Sequence, residues 1–207
     1  MKHEVAMNVM LVSAVTSAVV GSVVTFFLMK AQQPTTQDRI KDFYGTENAV
    51  YVSPHTLRKR MDKGETNYIL VDVRSLEEYE KAHIVGAISI PAYKDPNTSI
   101  SLDTEKEEKE RIIGAFNNVG NEKDIVVYCY STPCMTGRKI GKLLSEHDIY
   151  VKHLGIGWNE WRYSWNLWNH DGETPTDVNN YISSGKDPGK PTIKDTFSPC
   201  KVGELGC

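Results

Sequence analysis

The 207-residue chain has four cysteines, too few at this length for a disulfide scaffold. It has no basic excess: 24 Lys and Arg stand against 27 Asp and Glu, a net charge of −3. That balance lacks the electrostatic footprint of a nucleic-acid-binding protein. No C-x-x-C-H occurs, so covalent haem is not indicated, and no C-x2-C or Cys/His cluster has zinc-site spacing. No metal or cofactor is therefore expected. There is no internal repeat and no low-complexity stretch. The remaining composition, 40% apolar and 25% charged, is that of a globular protein, and the length suits one domain with appendages.

Charge is also missing, locally, from Val5 to Met29 (VAMNVMLVSAVTSAVVGSVVTFFLM). As a helix this run would be about 37 Å long, enough to cross a hydrocarbon core of about 30 Å with some tilt. It ends in Phe26-Phe27-Leu28-Met29-Lys30, without the small residues of a signal-peptide cleavage site. Residues 1–32 are therefore expected to be a retained single-pass membrane anchor in contact with lipid. Lys30, Arg39 and Lys41 outnumber Lys2 across the run, which by charge counting favours a cytoplasmic domain. A first span with so short a tail instead leaves that tail inside. The expected side for the domain is extracytoplasmic (periplasmic).

Residues 33–50 are polar, include Pro34 and read as a linker with room for a short helix. A domain is expected over 51–173. Ser53-Pro54 opens a helix with Leu57 and Met61 on one face and Arg58, Lys59 and Arg60 exposed. Strand-length apolar runs follow at Tyr68–Val73, Ala87–Pro91, Asp124–Tyr128 and Tyr150–Leu154. Helical stretches fall at Leu76–Ala82, 103–115 and Met135–His147. Strands alternating with helices predict an α/β fold with a mainly parallel sheet. Residues 174–207, rich in Pro, Lys and Gly, read as an extended tail that is mobile or needs a partner.

The chemistry concentrates in Val126-Val-Tyr-Cys129-Tyr130-Ser131-Thr132-Pro133-Cys134-Met135-Thr136-Gly137-Arg138-Lys139. A buried strand ends at Cys129, a short loop follows, and Thr132-Pro133 suits a helix start, with Thr132 as the cap. Free amide hydrogens and the positive helix end would face the loop. With Arg138 and Lys139 within a turn, that setting favours a nucleophilic thiolate. The competing reading is a pair of buried, inert thiols.

Asp72-Val73-Arg74, Glu78-Tyr79 and His83-Ile84-Val85-Gly86-Ala87-Ile88-Ser89-Ile90-Pro91 resemble the N-terminal signature of the rhodanese domain. Cys129 matches the position of that family's active-site cysteine, and Gly155-Ile156-Gly157-Trp158-Asn159-Glu160-Trp161 is similar to its closing motif. The resemblance runs from about Ser53 to Glu173. It implies a parallel sheet flanked by helices and sulfurtransferase chemistry. The Cys129 thiolate would take the outer sulfur of thiosulfate or another sulfane donor and pass it to a thiophilic acceptor. Tyr130, Ser131, Thr132, Met135, Thr136, Gly137, Arg138 and Lys139 would contact a small anionic donor, loop amides stabilising the anionic sulfur. The loop departs from the family pattern in being some two residues longer. Gly137 stands where a small hydroxyl residue is common, and Ala82 where glycine precedes the histidine.

Cys134 opens a second route, since it could resolve a Cys129 persulfide to a disulfide; helix-start logic makes it the better stabilised thiolate. A cysteine phosphatase needs C-x5-R, and neither cysteine has that spacing to Arg138. Asp72 and Arg74 read as a structural pair joined by charge-assisted hydrogen bonds, and His83 as a satisfied histidine. Trp158, Trp161, Trp165 and Trp168 recur at helical spacing and read as one helix face. Cys200 and Cys207 would form a disulfide if the domain lies outside the cytoplasm. Two other readings stand beside sulfur transfer: a non-catalytic accessory subunit of a membrane protein complex, and a thiol-disulfide sensor using Cys129 and Cys134.

Overall fold

The apolar runs become strands buried on both sides, as continuous rather than alternating hydrophobicity requires. The computed structural model describes residues 2–31, 33–98, 106–169 and 176–193. In chain order the elements are α1 (Lys2–Ala31), α2 (Thr36–Val50), β1 (Tyr51–Val52), α3 (Pro54–Asp62), β2 (Tyr68–Asp72), α4 (Leu76–Lys81), β3 (His83–Ile84) and β4 (Ala87–Ser89). They continue with α5 (Lys106–Val119), β5 (Asp124–Tyr128), α6 (Thr136–Ser145), β6 (Val151–Leu154), α7 (Trp158–Tyr163) and β7 (Ile182–Ser183). The main sheet has the order β1-β6-β5-β2-β4, every pair parallel. A small antiparallel pair joins β3 to β7.

Side chains alternate across the sheet and split the core in two. Leu70, Val126, Tyr128 and Leu154 pack with Leu57 and Met61 of α3, Tyr79 of α4 and Trp161 of α7. Val71, Ile125 and Val127 pack with Ile112 and Phe116 of α5 and Ile140 and Leu144 of α6. Cys129 follows β5 and belongs to this second cluster, so the strand's two-residue period aims its sulfur toward α6.

Helix α1 is long and apolar enough to cross a membrane. The segment expected to be a linker is largely helix α2. Its start is a reciprocal cap: Asp38 Oδ2 accepts the Thr35 amide at 2.9 Å, and Thr35 Oγ1 accepts the Asp38 amide at 3.1 Å.

Ser53 caps α3 as expected, accepting the Thr56 amide. Arg58 was expected to be exposed but is buried. Its guanidinium donates to Asn169 Oδ1 at 3.0 Å and lies over the rings of Trp165 and Trp168. The tryptophans do not share one helix. Helix α7 ends at Tyr163, and Trp165 opens a separate 3-10 turn. The break lets Trp161, Trp165 and Trp168 gather around one another and Tyr181.

Residues 176–193 also differ from the tail expectation, because they return to the domain. The Trp161 indole donates to the Tyr181 carbonyl at 3.2 Å, Tyr181 hydroxyl donates to Asp62 at 2.6 Å, and β7 pairs with β3. Cys200 and Cys207 lie outside the described residues.

Candidate functional site

The site forms where β5 gives way to the loop 129–135 and α6 begins. Residues Ser131 to Cys134 close a turn, the Cys134 amide donating to the Ser131 carbonyl at 3.0 Å. Helix α6 therefore starts at Thr136 with Met135 at its cap, and no side chain caps it. This agrees with the helical stretch expected from Met135 and corrects the start at Thr132-Pro133: the turn consumes those residues, and Thr132 has a different partner.

That partner is α7. Glu160 Oε1 accepts the Thr132 amide at 3.1 Å, and Glu160 Oε2 accepts the Gly157 amide at 3.0 Å. The Trp158 and Asn159 amides donate to the carbonyls of Cys129 and Tyr130, each at 2.8 Å. The first amides of α7, which have no partner within the helix, are thus satisfied by the loop. Gly157 is required for this approach: a Cβ there would stand 2.1 Å from the Ser131 nitrogen.

The two thiols are free and their sulfurs lie 2.7 Å apart. Cys129 is 2% exposed and Cys134 half-buried. The hydrogen bond to Cys134 and then burial push the Cys129 thiol above the ordinary range. The same hydrogen bond brings Cys134 down to about 4 against the opposing effect of burial. The hydroxyl and amide of Thr136 and the amide of Tyr130 assist. Tyr93 hydroxyl hydrogen-bonds Thr136 Oγ1. The two thiols titrate as one pair, with Cys134 shifted toward the thiolate and Cys129 toward the thiol.

The model for the rhodanese-like domain matches residues 53–164, slightly more than half of the chain. The chain belongs to the rhodanese-like domain family. Its rhodanese-like domain is similar to part of the HTH-type transcriptional regulator Rv0324 of Mycobacterium tuberculosis, with 31% identity over 121 residues. That match takes in 58% of this chain and 45% of the relative, so the chain spans less than half the length of that curated protein. Among solved structures, BH2092 from Bacillus halodurans is 22% identical with a TM-score of 0.48, covering 73% of this chain and 88% of that one. The rhodanese-like domain of the Anabaena protein Alr3790 is 16% identical with a TM-score of 0.42, covering 75% and 93%.

The rhodanese-like loop brings some of the expected residues to the sulfurs and leaves others apart. The amide of Tyr130 and both Thr136 groups reach the thiols. The Tyr130 side chain turns away, its hydroxyl donating to Glu78 Oε2 and its ring meeting Tyr93 edge-on. Ser131 and Thr132 serve the turn and the α7 contact. Met135 is 54% exposed. Arg138 is exposed and donates to the carbonyls of Thr132 at 3.3 Å and Cys134 at 3.5 Å, while Lys139 is exposed on α6. Gly137 lets α6 approach β6, since a Cβ there would lie 2.9 Å from the His153 ring.

Asp72 and Arg74 form a buried bidentate pair at 2.6 and 3.1 Å. Tyr128 hydroxyl donates to Asp72 at 2.6 Å, and Arg74 donates to the Ala82 carbonyl at 2.8 Å. Buried His83 has Nδ1 2.8 Å from the Tyr79 carbonyl, with its ring stacked on Tyr79. Trp161 is fully buried.

Three residues of the site escaped the sequence reading: Glu160, Tyr93 and His153. Glu160 had a local signal, because it lies three residues into a helix start and its carboxylate reaches back to the Gly157 amide, half of a capping box. Tyr93 and His153 had none. They arrive from β4's exit and from β6, separated in sequence from the loop they touch. Burial holds the His153 imidazole down to about 4, and Arg138 adds to the effect. Its Nδ1 is buried without a hydrogen-bond partner.

Proposed function

We propose that the protein is a membrane-anchored sulfurtransferase that carries sulfane sulfur as a persulfide on Cys129. A small anionic donor such as thiosulfate supplies the sulfur, losing sulfite, and a thiophilic acceptor removes it. The observation that carries this reading is the paired free thiols, 2.7 Å apart, met by the amides of Tyr130 and Thr136 at a loop whose backbone is fastened to α7. Such preorganised donors stabilise an anionic sulfur without reorganisation during the reaction. Helix α1 would hold the domain at a membrane on the extracytoplasmic side, near a donor, acceptor or partner complex located there.

The test is steady-state sulfite release by the full chain in detergent micelles, with thiosulfate as donor and dithiothreitol as acceptor. Wild type should turn over and Cys129→Ser should turn over much more slowly. Turnover of Cys129→Ser at the wild-type rate would remove Cys129 from the role of carrier. Absence of turnover with thiosulfate and with polysulfide would move the reading to the accessory-subunit alternative.

The close sulfurs support a second reading. Cys134 thiolate attacking the inner sulfur of a Cys129 persulfide would form the 129–134 disulfide and expel hydrosulfide. Sulfide release with disulfide accumulation, reversed by added dithiol, would identify that route.

A further inference from the structure

We infer that Cys134 is the thiol that first attacks the sulfur donor, and that Cys129 then receives the sulfur from it; this rests on the sulfur-transfer reading above. Access is the first argument. Cys129 is 2% exposed at the end of β5, whereas Cys134 is half-buried and is followed by Met135, more than half of whose surface is open. A donor approaching from solvent meets the Cys134 sulfur before the Cys129 sulfur.

The second argument is the set of donors around the sulfurs. The Tyr130 amide and the Thr136 hydroxyl favour both thiolates, and the Thr136 amide adds to Cys134 alone. With less burial against it, the outer sulfur is the one these donors favour as the anion. The reactive form of a thiol is the thiolate, so the outer sulfur is the armed one.

The steps balance. Cys134 thiolate attacks the outer sulfur of thiosulfate, forming the new S–S bond and breaking the donor's, with sulfite leaving. Cys129 sulfur, beside Cys134, then attacks the outer sulfur of the Cys134 persulfide. Its proton passes along the existing hydrogen bond to Cys134, the leaving thiol, and the persulfide now sits on Cys129. The sulfur moves at the sulfane level throughout, so no external oxidant or reductant enters. Hydrogen bonds that stabilise Cys134 as a thiolate also make it a good leaving group in this second step.

The experiment is a single turnover without acceptor, using the full chain in detergent micelles. Thiosulfate is added, the reaction is quenched with acid at short times, and the persulfide is located by peptide mass spectrometry. Cys129→Ser should still load, with the sulfur stranded on Cys134; serine retains the donated hydrogen bond. Cys134→Ser should load Cys129 about ten-fold more slowly or less. Loading of Cys134→Ser at the wild-type rate, or a Cys129→Ser chain that gains no sulfur, would overturn the order. Iodoacetamide footprinting of the unsubstituted protein at pH 6 checks the order without relying on variants. Label should enter Cys134 first, and preferential labelling of Cys129 would overturn it. Failure of the sulfur-transfer reading is separate: wild type would then gain no sulfur on either cysteine while Cys134 still alkylates first.

Discussion

Glu160 accepts the amide hydrogen of Thr132 at 3.1 Å, and this side-chain contact joins the Trp158 and Asn159 amides in tying the loop after β5 to the first turn of α7. The other oxygen of the carboxylate holds Gly157 at 3.0 Å. Glu160→Ala would leave both amides without that partner. The expected cost is about 0.5–1.5 kcal/mol of stability, together with slower sulfur loading, because the loop keeps only its backbone bonds to α7. Urea unfolding followed by tryptophan fluorescence checks the first effect and timed mass spectrometry the second. An unchanged unfolding curve would show that the contact is dispensable.

Acid should destabilise the domain through two groups of the same sign. Cys134 is lowered to about 4 from an ordinary value of 9.0, and His153 to about 4 from 6.5. Between the folded and unfolded values the unfolded chain binds more protons, so stability rises with pH across each window. For Cys134 the contribution is present above pH 9 and is lost as pH falls through 4. For His153 it is present above 6.5 and is lost over 6.5 to 4. His153→Phe should lessen the slope of the stability profile between pH 4 and 6.5 and leave the slope from 6.5 to 8, whereas Cys134→Ser should remove that upper slope. Chemical denaturation at a series of pH values reads both.

Alkylation of Cys134 should be independent of pH from 6 to 8 and decline only as pH approaches about 4, because the thiolate fraction controls reactivity. A rate that climbs ten-fold per pH unit through neutrality would mean an ordinary thiol at position 134. The measurement is iodoacetamide labelling with peptide-level readout.

Tyr181 should matter as much as a core residue despite standing beyond the family signature. It is 2% exposed, donates to Asp62 at 2.6 Å and receives the Trp161 indole hydrogen on its carbonyl. Tyr181→Ala should cost about 3–5 kcal/mol, the range for large buried aromatics. Thermal unfolding would detect this. A loss below about 1 kcal/mol, the size of a surface effect, would mean the segment adds little to the core.

By itself the sequence determined the α/β class, the apolar N-terminal helix, the family and the loop that carries the thiols. Each rests on local chemistry: uncharged length at Val5–Met29, short valine-rich runs, Ser53-Pro54 before α3, and cysteine at a strand end. Tertiary structure decided what depends on residues far apart in the chain. Arg58 is buried because Trp165, Trp168 and Asn169 close over it, which no helical periodicity could announce. Residues 176–193 belong to the domain because Tyr181 and β7 find partners at Asp62, Trp161 and β3. The start of α6 shifted from Pro133 to Thr136 because Glu160 holds the loop in a turn. The same packing sets the exposure of the two cysteines: the β5 register sinks Cys129 toward α6, and the turn leaves Cys134 half-buried near hydrogen-bond donors. Burial and donor geometry are pairwise, long-range quantities, and they shift Cys129 toward the thiol and Cys134 toward the thiolate.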